Sequence, residues 1–186
     1  MSSQNDDRTQ ELLLLAKNMG ADHAAIITPE NIPFVASLRQ SCDQNYCGRF
    51  NSCWVGPPAI GEVEELMQQV REFPRALVVQ TVGQLEDSFD YEGMMAAKET
   101  HTTVFRQLLP EIRQRFADQQ TLALSCGCCD LCPDCTYPDE PCRDPDNAVS
   151  AVEAYGINVN PMLTACDLKY NNGPNTVSYV SLFFLP

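Results

Sequence analysis

The sequence predicts an α/β fold in which a small mixed sheet of about four strands is flanked by helices. Two observations support this prediction. Short apolar and β-branched runs alternate along the chain with longer segments of helical periodicity. One cysteine-rich segment is rich in turn residues and the other directly follows a predicted strand, so we expect metal-binding loops at strand ends. With 186 residues, the chain is long enough for one domain, residues 1–186, with an ordinary core.

Helices and strands alternate in the first part of the chain. Residues 7–19 predict a helix that Asp7 caps. Residues 23–28 form a short apolar run that ends before a proline, which is typical of a buried strand. Residues 62–73 have the spacing of an amphipathic helix, and residues 75–82 predict a second buried strand.

The same alternation continues to the end of the chain. A long helical pattern covers residues 88–116, and Pro110 predicts a kink or break in it because proline lacks the N–H donor. Residues 121–125 predict a third strand that leads into a cysteine-rich loop. Residues 150–153 have capping-box form and predict a short helix, and residues 176–185 predict a final strand.

The strongest functional signal lies in residues 126–145, which we call cysteine loop two. Six cysteines lie between Cys126 and Cys142, and three of them have the spacing C-x2-C-x2-C. That spacing is associated with 4Fe–4S clusters, in which a fourth cysteine completes the site. The sequence therefore predicts a cluster with four thiolate ligands: Cys129, Cys132, Cys135 and Cys142.

A looser group of thiols lies in residues 42–58, which we call cysteine loop one. Its three cysteines, Cys42, Cys47 and Cys53, have the spacing C-x4-C-x5-C in a turn-rich segment. Three thiols do not complete a four-thiolate site, so a fourth ligand comes from elsewhere or one iron stays open to substrate. The candidates for a fourth ligand are Cys126, Cys128 and Cys166. On spacing alone, metal ligation here and a role as buried structural thiols are equally supported.

Ten cysteines without a secretory signal predict a protein of the reducing cytoplasm. In that compartment cysteine clusters favour metal binding or catalysis, and a loop stapled by disulfides is the alternative. No apolar run approaches the roughly 20 residues that a membrane span requires, so we expect no membrane insertion.

The charge of the chain limits its partners. Lys and Arg number 12 against 25 Asp and Glu, which gives a net charge of −13. Nucleic-acid binding requires clustered cations, so the composition argues against a nucleic-acid partner. An acidic surface suits a basic redox protein as partner. The sequence does not predict the oligomeric state.

Two polar residues outside the cysteine loops are candidates for chemistry. His101 lies on the apolar side of the long helical pattern, and a core histidine is favoured there over a metal ligand or base. Glu153 is a candidate general acid or base near a cluster, but helix capping is favoured for it.

The order of motifs along the chain is specific. Five motifs follow one another: Cys42-x4-Cys47-Gly48-x-Phe50, Trp54-x-Gly56-Pro57-Pro58, Gly127-x-Cys129-x2-Cys132-x2-Cys135, Pro141-Cys142-Arg143-x-Pro145 and Ser150-x-x-Glu153-Ala154-Tyr155-Gly156-Ile157-x-Val159. Together they resemble the predicted metal-binding proteins of the DUF2284 family, from about Gly20 to the C-terminus. The resemblance implies an iron–sulfur or other metal-binding protein, usually from anaerobic microbes, without a settled activity.

The chain departs from the family pattern at one position. The first loop of the family typically contains C-P-P, whereas Gly56 precedes Pro57 and Pro58 here. Either Cys53 substitutes for the missing cysteine or the first site is incomplete. The four cysteines predicted as ligands in loop two match the family pattern fully.

Three functions fit these observations. The leading hypothesis is one-electron transfer in anaerobic metabolism by a protein that holds one 4Fe–4S cluster, or two if loop one also binds one. No nucleophile–base pair is recognisable in the sequence, which favours an electron carrier over an enzyme. The second hypothesis is a redox enzyme or an activase of a corrinoid protein, with an open cluster or metal site in loop one. The third is a structural zinc protein.

Overall fold

A computed structural model of the chain describes residues 2–186, with side chains from Asp7 onward. Five strands form one mixed sheet: β1 His23–Ile27, β2 Arg75–Gln84, β3 Leu122–Ser125, β4 Ser150–Ala151 and β5 Thr176–Leu185. Their order across the sheet is β1-β2-β5-β3-β4. The α/β fold is therefore confirmed. The strand β4, which has two residues, is the one that the sequence did not predict.

The sheet is antiparallel except at one edge. β1 pairs with β2, β2 with β5 and β5 with β3 in antiparallel directions, whereas β3 and β4 run parallel. Leu77 lies opposite Phe183 and Val78 lies opposite Leu182 in the central pair. Opposed residues share a face of the sheet, so the two pairs point to opposite sides.

Helices cover both faces of the sheet. They are α1 Ser2–Asn18, α2 Arg39–Asp43, α3 Val63–Arg71, α4 Tyr91–Arg115 and α5 Val159–Ala165, with 3₁₀ turns at Pro29–Asn31, Ala36–Leu38 and Val152–Tyr155. On one face, α1 and α4 bury a core that includes Phe105, Leu108 and Phe183. On the other face, α3 and α5 bury a second core that includes Val70 and Leu163.

The cap predicted at Asp7 is wrong, and so is the break that was predicted at Pro110 as the alternative to a kink. The first helix begins at Ser2, so Asp7 lies inside it and does not cap it. The helix α4 continues through Pro110 without a break. Leu108 and Ile112 on either side of this proline are at most 1% exposed. Their burial against the sheet offsets the loss of one helical hydrogen bond.

The helix predicted to open at Ser150 was also wrong. Ser150 and Ala151 form β4, and a 3₁₀ turn of four residues follows them up to Gly156. Ala151, the residue before that turn, makes no capping hydrogen bond through its side chain. The Ser150 side chain instead hydrogen-bonds with Tyr155, so the capping-box pattern does not act as a cap here.

The helix α4 lies very close to the sheet at Gly83 of β2. A Cβ added at Gly83 would lie 2.3 Å from the Cβ of Ala97. The missing side chain at Gly83 is therefore what lets α4 pack directly on β2. The apolar side predicted for this helix is confirmed, since the residues of its middle part are buried: His101, Val104, Phe105, Leu108 and Ile112.

The fold places the two cysteine loops at one end of the sheet. Loop one begins in α2 and leads towards α3, and loop two leaves the end of β3 and returns to the parallel strand β4. Within the described residues, no helix is long and apolar enough to cross a lipid bilayer.

Candidate metal centre

The two cysteine loops pack against each other through an aromatic contact. The indole Nε1–H of Trp54 donates to the carbonyl oxygen of Glu140 at 2.9 Å. The rings of Trp54 and Tyr137 meet edge to face, with centroids 4.9 Å apart and planes at 86°. The Tyr137 hydroxyl donates to Oδ1 of Asn51 at 2.8 Å. Loops one and two therefore form a single surface rather than two separate arms.

Loop one is anchored by a buried arginine. Arg39 opens α2, the short helix that carries Cys42, and is only 8% exposed. Its Nη1 donates to the carbonyl of Ala154 at 3.1 Å, and its Nη2 donates to the carbonyl of Gly61 at 2.9 Å. Charge-assisted bonds of this kind are among the stronger hydrogen bonds in proteins. Arg39 thereby positions the start of loop one against the turn that follows β4.

The far end of loop two is held by α4. The Nη1 of Arg106 donates to the carbonyl of Asn147 at 2.5 Å. Arg113 donates from Nη2 to the carbonyl of Asp146. Loop two is thus attached to the protein at both ends, by β3 before it and by α4 after its last cysteine.

Within loop two, hydrogen bonds next to Cys135 and Cys142 fold the chain back, so that the backbone segments that carry these two cysteines lie near each other. The backbone N–H of Glu140 donates to the carbonyl of Thr136 at 3.0 Å. The hydroxyl of Thr136 donates to the carbonyl of Pro141 at 2.9 Å. Across the other side of the pair, Arg143 donates to the carbonyl of Asp134 at 2.7 Å. The backbone at Cys135 therefore lies across a closed turn from the backbone at Cys142.

A cavity of about 450 Å³ lies between the two loops. Three cysteines line it: Cys42 and Cys47 from loop one and Cys128 from loop two. Its volume falls within the range of roughly 300–1,000 Å³ that is typical of ligand sites. The residues that also line it include two cations, two acids and several apolar side chains: Arg49, Lys98, Asp130, Glu153, Phe50, Val55 and Pro57.

Cys53 and Cys128 form a hydrogen-bonded pair across the two loops. The Cys53 thiol donates to the Cys128 sulfur, which raises the pKa of Cys53 and lowers the pKa of Cys128 to about 7. The charge of Arg49 also lowers the pKa of Cys128. Cys128 is therefore the thiol in this pair that ionises first, and thiolates are the form that binds metals.

The sulfur of Cys53 occupies the space next to the position where the family pattern has a cysteine. A Cβ added at Gly56 would lie 2.9 Å from the Sγ of Cys53. A side chain at Gly56 and the thiol of Cys53 therefore compete for one volume. This placement favours the alternative in which Cys53 substitutes for the missing cysteine.

The remaining candidates for a fourth loop-one ligand, Cys126 and Cys166, do not line that cavity. Burial raises the pKa of Cys126 to about 11 and also raises the pKa of Cys166 to about 11. Cys166 follows α5 and packs on the core that α3 and α5 cover. Among the described residues, Cys128 is the candidate that both lines the cavity and contacts a loop-one thiol.

Glu153 was predicted to cap a helix, but in the structure it lines the cavity between the loops. The surrounding protein raises the pKa of its carboxyl group by desolvation. Its charge also acts on Cys42 and Cys126. Lys98 of α4 lines the same cavity and was not recognised from the sequence, because a lone lysine in a helix carries no distinguishing pattern.

All ten cysteines are free thiols, so the disulfide alternative is not realised in this structure. Among the side chains that the structure describes, from Asp7 onward, no three Cys, His, Asp or Glu residues are placed together as a ready site for a metal ion. The structure places Cys42, Cys47 and Cys128 around one cavity, with Cys53 beside Cys128, and it brings the backbone at Cys135 near the backbone at Cys142. Free thiols are the donors that iron–sulfur clusters and zinc require, so the donor type fits a metal.

Two docked loops of free thiols at one end of a mixed α/β sheet define a cysteine-rich binding protein. The family model described as a predicted metal-binding protein (DUF2284) matches residues 25–185. The chain therefore belongs to this family, and the resemblance of its cysteine motifs is confirmed. Comparison with curated proteins gave no match, and comparison with solved structures gave none either.

Proposed function

We propose that this metal-binding protein holds a 4Fe–4S cluster on loop two and transfers single electrons in anaerobic metabolism. The proposed ligands are the four cysteines Cys129, Cys132, Cys135 and Cys142. The observation that supports them best is the closed turn that brings the backbone at Cys135 near the backbone at Cys142. This turn joins the end of the C-x2-C-x2-C run to the separate fourth cysteine, which a four-thiolate site requires.

The protein contributes position and insulation to such a centre. Loop two is attached at β3 and at Arg106 of α4, and Trp54 packs on it from loop one. When bound, a 4Fe–4S cluster supplies one-electron oxidation and reduction. These attachments would keep its ligands in place through both oxidation states.

A basic redox protein is the proposed partner. The net charge of −13 provides attraction to such a protein, and this attraction weakens as salt is added. The cytoplasm is the proposed location, because a reducing compartment keeps ten thiols free.

Iron content and redox spectroscopy test the proposal. The chain would be purified without oxygen, reconstituted with ferrous iron and sulfide, and assayed for both elements per chain. We expect a signal in electron paramagnetic resonance after reduction with dithionite. The variant Cys135→Ser should lose about four irons relative to the starting protein, because one cluster of this type holds four.

Cys166→Ser is the matched control, since Cys166 lies in neither cysteine loop and packs on the core under α5; this variant should leave the iron count unchanged. Retention of all iron and of the reducible signal in both Cys135→Ser and Cys142→Ser would contradict the proposal. Zinc in place of iron in protein purified without oxygen would favour the structural zinc alternative.

A further inference from the structure

The geometry points to a second metal site, in which Cys42, Cys47 and Cys53 of loop one and Cys128 of loop two ligate an iron–sulfur cluster. The site uses no cysteine of the proposed loop-two cluster. The two proposed sites can therefore be tested independently of each other. Cys128 lies immediately before the C-x2-C-x2-C run, so its role is not visible from that spacing.

The four thiols form a connected group across the two loops. Cys47 lies close enough to Cys42 and to Cys128 for its thiolate form to act on both of them by charge. Cys128 is in turn hydrogen-bonded to Cys53. Residues far apart in the chain thus place three cysteines around one cavity and a fourth beside one of them. Four is the count that a cluster with all-cysteine ligation needs.

The volume between these thiols suits a cluster better than a single ion. The cavity measures about 450 Å³, whereas one water molecule in the liquid occupies roughly 30 Å³. A cluster of several iron and sulfide ions can span such a space between ligands on opposite walls. The side chains of Phe50, Val55 and Pro57 add apolar walls, which limit water around a bound group.

The charges around the cavity are compatible with an anionic cluster. Each thiol releases its proton to solvent when it binds the metal, so four cysteines bring four negative charges. Arg49 and Lys98 line the cavity and offset part of this charge. Asp130 and Glu153 also line it and oppose binding by charge.

Cys53 is the fourth member because its sulfur already occupies the place next to Gly56. The distance of 2.9 Å between this sulfur and a Cβ at position 56 makes a specific exchange possible. In the double variant Cys53→Ala with Gly56→Cys, the new thiol enters the volume that the Cys53 sulfur vacates. Such a variant should restore a ligand that Cys53→Ala alone removes.

Iron and sulfide counts on anaerobically reconstituted protein test the inference. We expect about eight irons per chain for two clusters of the four-iron type. Cys128→Ser should retain about four of them and keep the loop-two signal. The double variant with Gly56→Cys should recover iron that Cys53→Ala loses, and Cys166→Ser should match the starting protein.

The two proposals fail in different ways. If Cys135→Ser leaves the iron count intact while Cys128→Ser removes about four irons, the second site stands and the loop-two cluster is wrong. If Cys128→Ser and Cys53→Ala both keep the full iron count while folded by circular dichroism, the second site is wrong. Detection of a Cys53–Cys128 disulfide by alkylation and mass spectrometry of the iron-loaded protein would also overturn it.

Discussion

The Nε1–H of Trp54 donates to the carbonyl oxygen of Glu140 across 2.9 Å and so joins two loops whose bonded residues are 86 positions apart. The bond lies beside the closed turn that brings the backbone at Cys135 near the backbone at Cys142. Trp54 thus connects the conformation of loop one to the ligand geometry proposed for loop two. Trp54, the one tryptophan of the chain, therefore links the two candidate metal loops, and we call its hydrogen bond to Glu140 the inter-loop bond.

Replacement of Trp54 by Phe should remove the inter-loop bond. The variant keeps an aromatic ring against Tyr137 but loses the N–H donor, so we expect the free energy of unfolding to fall by about 1 kcal/mol. Hydrogen exchange in the metal-free protein should accelerate at the amide of Glu140, which donates to Thr136. Tyr137→Phe, which loses the bond to Asn51, is the companion variant. An unchanged exchange rate of this amide in both variants would show that Trp54 and Tyr137 do not hold the two loops together.

Arg39 should contribute more to stability than an exposed cation does. In Arg39→Met the carbonyls of Ala154 and Gly61 lose their donors, so we expect a loss of about 3 kcal/mol in the free energy of unfolding. Lys17→Met, at an exposed position near the end of α1, is the matched control and should change stability by less than about 0.5 kcal/mol. Urea unfolding measures both variants, and equal effects would show that Arg39 does not anchor loop one.

The close approach of α4 to β2 predicts a strong coupling between Gly83 and Ala97. Gly83→Ala places a methyl group 2.3 Å from the Cβ of Ala97, so we expect overpacking to cost about 2 kcal/mol. Ala97→Gly alone should cost about 1 kcal/mol through lower helix propensity. The double variant should be more stable than the sum of the two losses predicts, by about 1 kcal/mol or more. Strict additivity in a double-mutant cycle would contradict direct contact between these positions.

The long strands and helices could be predicted because burial and periodicity mark them in the sequence. Residues 75–82 and 176–185 are apolar runs, and they form β2 and β5 at the centre of the sheet. The strand β4 was missed because two residues cannot show alternation. Ser150 and Glu153 have the spacing of a capping box, yet the Ser150 side chain bonds Tyr155 once the tertiary structure forms.

The candidate site could be predicted only in part, because cysteine spacing reports local ligands and not distant ones. The C-x2-C-x2-C run and the loop-one thiols were visible as patterns. The contact between Cys53 and Cys128 depends on how two distant loops pack, which no local pattern encodes. The anchoring role of Arg39 was missed for the same reason, since its partners are backbone carbonyls of residues far along the chain.

His101 predicts a dependence of stability on pH. It is fully buried, its Nδ1 lies 2.9 Å from the Thr81 hydroxyl, and desolvation lowers its pKa to about 4. In the unfolded chain a histidine has a pKa of about 6.5. Between these values the unfolded state binds more protons than the folded state, so the free energy of unfolding falls as the pH falls. The full effect is about 3 kcal/mol between pH 6.5 and pH 4, and it is absent above pH 6.5.

Urea unfolding of the metal-free protein at a series of pH values measures this effect. His101→Gln cannot take up the proton, so its stability should depend less steeply on pH between 6.5 and 4, although it starts from a lower value at neutral pH. His23→Gln is the control, because His23 opens β1 and is partly exposed; it should follow the starting protein. Parallel pH profiles for His101→Gln and the starting protein would show that the buried imidazole does not set this dependence.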